Sequence, residues 1–283
     1  MEYGGRNWFY SYRKLFDICT ETKLQSVTGK ILTQYAALTK NWDATTNSEW
    51  TCRTYLSTKM ILNATVLTNA LDYSNEVGLR IANPYFEYYA ALSLLRALVY
   101  TIPGEKWSDG ELMKIPHSKA INVSFDWIAK FDKDTAQRLK RLTQQLKAQR
   151  EVISYKAPAS GDSILDTEYD LYELLIILAE MAQLNSELLE VSVLKNASPE
   201  NFTVNYEHMT QIAQYEIEGY SFTDREDGRR LEYIRRKQPH PLNLALTMTE
   251  GQTEDFIGAW DGEEDGMFNN GSPANWQEIF DVP

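Results

Sequence analysis

The chain has 283 residues, 43% hydrophobic and 24% charged, which is enough to bury a sizeable core and too apolar for a disordered chain. Its 28 Lys and Arg against 40 Asp and Glu give a net charge of -12, which argues against a nucleic-acid binder working by whole-chain phosphate neutralisation but leaves room for a local basic patch. Two cysteines, Cys19 and Cys52, cannot make a disulfide framework, no secretory leader is read and no apolar run reaches membrane-spanning length, so a cytoplasmic protein is expected.

Up to about residue 196 the apolar spacing is helical almost throughout. Helices are predicted over 7–20, 21–40 and, after the polar loop at 43–47, over 48–73. Asn83 reads as an N-cap with Pro84 at the first helical position. The following stretch, 88–100, is apolar on nearly every face, the pattern of a central helix. Further helices are predicted over 117–130 and 134–154, the second with an outer face of Arg138, Lys140, Arg141, Lys147 and Arg150. Thr167-Glu-Tyr-Asp170 reads as a capping box before the stripe Leu171, Leu174, Leu175, Leu178, Met181, Leu184, Leu188 and Val191.

Beyond Pro199 the pattern changes. Residues 215–222 and 230–235 read as strands of a β-hairpin around the turn at 224–228, and 242–248 as a candidate third strand. From Glu250 to Pro283 there are nine acidic residues and no Lys or Arg, leaving 31 acidic against 28 basic residues in a nearly neutral body. The expected organisation is a helical bundle over 1–196, a small β-hairpin element over 203–249 and an acidic aromatic tail over 250–283. The fold class is mainly α, an antiparallel helical bundle.

Three histidines, His117, His208 and His240, are too few for a dense metal site, and neither a P-loop nor a Gly-x-Gly-x-x-Gly fingerprint occurs, so no metal or cofactor is expected. Arg96 interrupts the most apolar helix, and a guanidinium keeps its charge when buried. It either reaches the bundle rim or a core acid, or faces a ligand anion in a cleft. Tyr85, Tyr88 and Tyr89 share that helix and serve either core packing or base stacking.

Four segments in order are Tyr85-Phe-Glu-Tyr-Tyr-Ala-Ala-Leu-Ser-Leu-Leu-Arg96, Pro116-His-Ser-Lys119, Phe125, and Leu146-Lys-Ala-Gln-Arg150 with Ser154-Tyr155. Together they resemble the HEPN superfamily of small helical bundles over about residues 84–156. The resemblance implies a bundle, commonly dimeric, found in bacterial toxin-antitoxin and antiphage systems. In active relatives it implies metal-independent RNA cleavage by an Arg and a His four to six residues apart. Here only Arg235 and His240 match that spacing, with Pro239 directly before the histidine. His117, Arg150 and Tyr155 are the other candidate catalytic set, with Arg96 and Lys119 as candidate ligand-binding residues.

Two surfaces complete the reading. Arg229, Arg230, Arg235, Arg236 and Lys237 form the densest basic cluster and are a candidate RNA surface, here assigned to a hairpin strand. In the tail, Phe256, Trp260, Phe268, Trp276 and Phe280 alternate with Asp261, Glu263, Glu264 and Asp265, a pattern suited to docking rings on a protein partner whose cations meet the carboxylates. The function expected first is therefore an interaction component of a defence or toxin-antitoxin system. A metal-independent endoribonuclease and a small-molecule or nucleotide-binding bundle are the alternatives.

Overall fold

In the computed structural model the described residues are 2–3, 6–7, 10–260 and 279. The chain is mainly helical. A minimal antiparallel pair, β1 (Glu2–Tyr3) and β2 (Arg6–Asn7), precedes a bundle of α1 (Lys14–Ile18), α2 (Glu21–Thr39), α3 (Ala44–Glu76), α4 (Asn83–Thr101), α5 (His117–Ile128), α6 (Lys133–Lys156) and α7 (Leu171–Asn196). Then follow α8 (Tyr206–Ala213), the antiparallel hairpin β3 (Gln214–Ile217) and β4 (Tyr220–Thr223), α9 (Arg225–Lys237), α10 (Leu244–Thr247) and α11 (Thr253–Gly258).

The helix starts follow local chemistry. Thr20, Asp43, Asp132, Asp170, Asp224 and Asn243 each cap a helix, their side-chain oxygens accepting first-turn N–H groups that have no intrahelical partner. The cap before α7 is Asp170, which accepts from the Glu173 amide at 2.9 Å; the box therefore begins at Asp170 and not at Thr167. Likewise Ala82 is the cap of α4, and Asn83 is already helical.

The core is centred on α4, which is apolar on nearly every face, and on α7, which is buried along most of its length. Helix α4 packs against α3, α5, α6 and α7, and α7 packs also against α2. One polar row on α7 is buried with it and ties both ends of the chain to the bundle. Glu180 accepts the amides of Arg13 (2.7 Å), Lys14 (3.3 Å) and Leu15 (2.7 Å) at the start of α1, where an anion also meets the positive end of the helix dipole. Glu187 accepts from the Tyr10 amide and the Tyr12 hydroxyl, while Gln183 Oε1 and Ser186 Oγ accept the amides of Ala245 and Leu244.

Several predicted elements change. The predicted helix over 7–20 shrinks to α1. The hairpin is shorter and earlier than expected: its turn is Glu218-Gly219, both at positive φ (52° and 82°), which suits the twist of a two-residue hairpin loop. The segment read as its second strand is α9. Asp224 caps it, Glu226 and Asp227 sit in its first turn, and Arg235, Arg236 and Lys237 sit in its last, so its charges oppose the helix dipole. The third strand expected over 242–248 is also replaced, by α10 and a turn that kinks at Glu250-Gly251. Helices α8, α10 and α11 pack on α3, and no helix among the described residues is long and apolar enough to cross a membrane.

Candidate anion site between helices α4, α5 and α6

The predicted residues Arg96, His117 and Arg150 come together where α4 meets the start of α5 and the end of α6. Tyr88, fully buried on α4, holds His117, the first residue of α5: its hydroxyl lies 2.9 Å from His117 Nδ1. The Tyr89 ring stands edge-on to the imidazole, with centroids 6.4 Å apart. The Arg150 guanidinium lies 5.3 Å from the centroid of the Tyr88 ring. Helix α5 starts after Pro116, which offers no side-chain acceptor to the first-turn amides, so the cluster sits at an uncapped, positive helix end.

The electrostatics are those of a cation excess. Burial, then Arg96, Arg150 and Lys147, hold His117 below its usual pKa of 6.5, so the imidazole is neutral at pH 7. Burial raises Tyr88 above the usual phenol value, with Arg150 and Arg96 opposing it, so the phenol keeps its proton. An O–H donated to Nδ1 places the imidazole proton on Nε2.

The two guanidinium groups are under-satisfied. Arg96 forms no hydrogen bond or ion pair with the described residues, and its Nε is buried without a partner. Arg150 is 14% exposed; its Nε is also buried and unpartnered, and its only carboxylate, Glu151, is at 3.4 Å and shared with Lys147 at 3.7 Å. Lys147 and Arg150 therefore share one carboxylate, and Arg96 has none among the described residues. Both side chains are half-buried, so in each only the Nε–H is cut off from water, and an incoming anion would add charged hydrogen bonds worth about 1.5–3 kcal/mol each.

Other predicted residues lie apart from this cluster. Lys119 is exposed and pairs with Glu105 at 3.7 Å. Tyr155 projects from the end of α6, 76% exposed. Arg235 is held by Glu232 through two bonds of 2.7 Å and lies over Tyr206, while His240 stacks on Phe202, so the one pair with ribonuclease-like spacing is not assembled by any contact among the described residues. His208 is buried on α8.

The basic cluster is on α9 and not on a strand. Arg229 pairs with Glu226 and Arg236 with Glu232, and Arg230 is buried against Asp255 and the Glu250 carbonyl, which leaves a weaker phosphate surface than the residue count suggests. In the tail, Phe256 packs against the core and Ile257 and Ile279 are buried, so these parts dock on the chain's own body; Trp260 is exposed. Asp261, Glu263, Glu264, Asp265, Phe268, Trp276 and Phe280 lie outside the described residues.

Two basic residues outside the sequence-based set matter. Arg53, 1% exposed, donates to the carbonyls of Tyr100 (2.7 Å), Ile102 (2.7 Å) and Glu105 (2.8 Å), pairs with Glu49 at 3.0 Å and stacks on Trp50 at 3.7 Å. It satisfies the C-terminal end of α4. Lys59 holds Asp227 and Asp224 at 2.5 and 3.5 Å. Both are isolated charges on the otherwise uncharged middle of α3, and that isolation was the available sequence signal. Comparison with protein-family models, with curated proteins and with solved structures finds no match.

Proposed function

We propose that this chain is a HEPN-like helical bundle that binds RNA by holding a phosphodiester at Arg96, His117 and Arg150. The observation that carries the reading is the convergence of two under-satisfied guanidinium groups on one imidazole at an uncapped helix end. Arginine forks match phosphate oxygens, and the exposed rings of Tyr89 and Tyr155 near the cluster's helices offer faces for unstacked bases. The resemblance over 84–156 adds the expected setting, a bacterial antiphage or toxin-antitoxin system. His117 is the group placed to move a proton in any cleavage, with Arg96 and Arg150 stabilising charge on the phosphate.

Fluorescence anisotropy with a labelled single-stranded RNA oligonucleotide tests the reading. Arg96→Met and Arg150→Met are each expected to weaken binding by about tenfold or more, and affinity to fall with added salt. Equal affinity in wild type and both variants would sink it. RNA cleavage in chelator that is lost in His117→Ala would raise the assignment from binding to endoribonuclease; binding without cleavage would fix it as a binding component.

A protein partner is the second reading, favoured by β3 and β4. Every residue of this hairpin is exposed, including Tyr215, Ile217, Tyr220 and Phe222, and an isolated two-stranded hairpin open on both faces is a natural docking edge. Light scattering on wild type and on Ile217→Ser/Tyr220→Ser reports whether self-association depends on it.

A further inference from the structure

We propose that the cleft between α3, α9 and α11 binds a small organic cation bearing ammonium or guanidinium N–H donors. The cleft has a volume of about 380 Å³. Its charge is the reverse of the α4–α6 cluster. Asp224, Glu226, Asp227 and Asp255 face Lys59 and Arg230 across it, four carboxylates against two cations. Lys59 engages Asp227 at 2.5 Å, which also accepts from the Tyr55 hydroxyl at 2.6 Å; Arg230 engages Asp255 at 3.2 Å. Arg229 answers Glu226 from outside the lining at 2.9 Å, so Asp224, Glu226 and Asp255, which keep solvent-facing surface, leave the cleft with one negative charge in excess.

A second observation points the same way. Gln252, 2% exposed, lines the cleft; its amide nitrogen donates to the Tyr55 carbonyl, and its Oε1 has no donor among the described residues. The orphan acceptor is enclosed in the cleft wall, and a ligand donor answers it once the Gln252 side chain turns toward the cleft. Tyr215, Phe256 and Trp260 complete the lining, and Tyr215 and Trp260 are 48% and 58% exposed. Aromatic faces beside carboxylates attract ammonium and guanidinium groups. Anions are disfavoured by the excess negative charge, and an apolar ligand would leave Gln252 unsatisfied. Phosphorylated compounds therefore belong to the cationic cluster and organic amines to this one.

The test uses the full chain with agmatine and 1,5-diaminopentane as probes, by calorimetric titration and thermal shift at constant ionic strength. Both are expected to bind and to raise the Tm. Tetramethylammonium, which has no N–H to donate, is expected to bind more weakly. Trp260→Ala and Gln252→Leu are each expected to weaken agmatine binding by about tenfold, or ~1.4 kcal/mol. Trp260 is exposed, so its variant folds and remains decisive if the buried Gln252 variant does not. A Tm rise matched by sodium chloride at equal ionic strength, tetramethylammonium binding as tightly as agmatine, or unchanged agmatine affinity in Trp260→Ala would each overturn the proposal.

Discussion

Arg53 and Arg96 stand on two helices packed side by side, and the protein treats them in opposite ways. Arg53 has three backbone carbonyls, one carboxylate and one indole face, so its charge is spent on closing the end of α4. Arg96 has no acceptor from the described residues, and beside it Arg150 has one weakly placed carboxylate. A saturated cation serves the fold, while an unanswered one is the kind of group that the proposed anion site would use. Burial and the count of acceptors both separate the two: Arg53 is fully buried and fully answered, whereas Arg96 is half-buried and has no acceptor among the described residues.

The largest expected effect is on the saturated side. Arg53→Met strands the carbonyls of Tyr100 and Ile102 and is expected to cost about 3–5 kcal/mol, read as a Tm fall on the order of 10 °C. Arg96→Met, by contrast, is expected to stay within about 0.5 kcal/mol of wild type in denaturant titration, because it removes no hydrogen bond or ion pair with the described residues and keeps an unbranched apolar stem in place. Comparable losses in the two variants would break the comparison. Glu180→Ala extends the saturated case to an anion: it frees three amides at the start of α1, with an expected loss of about 1–3 kcal/mol.

Smaller effects sharpen the ligand side. His117 has a folded pKa below its usual 6.5, so as pH falls below 6.5 the unfolded chain takes up this proton before the folded one. Its contribution to stability is present above pH 6.5 and is lost as the pH falls through the folded value. Wild type is expected to lose more stability than His117→Gln between pH 8 and about pH 5.5 in urea melts. RNA affinity is expected to move the other way, rising as pH falls, since a bound phosphate favours the imidazolium. The smallest effect is that of Tyr88→Phe, which removes one hydrogen bond to Nδ1 and is expected to cost about 1 kcal/mol or less in denaturant titration.

The helices of the bundle were legible because their signals are local: apolar spacing along α4 and α7, and Asp or Thr caps ahead of most others. The hairpin was misplaced because Asp227-Gly228 looks like the stronger turn, whereas the turn that forms is Glu218-Gly219. The segment read as its second strand forms a helix instead, because Asp224 caps it and its charges run from acidic at Glu226 to basic at Lys237. Arg96, His117 and Arg150 were each identifiable as unusual residues. Their meeting, with Tyr88 as the holder of His117, was not visible from positions 20 to 60 residues apart.

The amino-acid sequence by itself determined the elements whose cause lies within a few residues, namely the capped helices, the all-round apolar α4, the apolar stripe of α7, and the split between a neutral body and an acidic C-terminal end. Tertiary structure alone decided which charges are answered. It pairs Arg53 with carbonyls about 50 residues away, Glu180 with the start of α1 and Lys59 with Asp227, and it leaves Arg96 and Arg150 facing His117. The reason is physical: spacing along the chain sets which face a charged residue occupies, but the acceptors that satisfy it are supplied by whichever helices pack against that face.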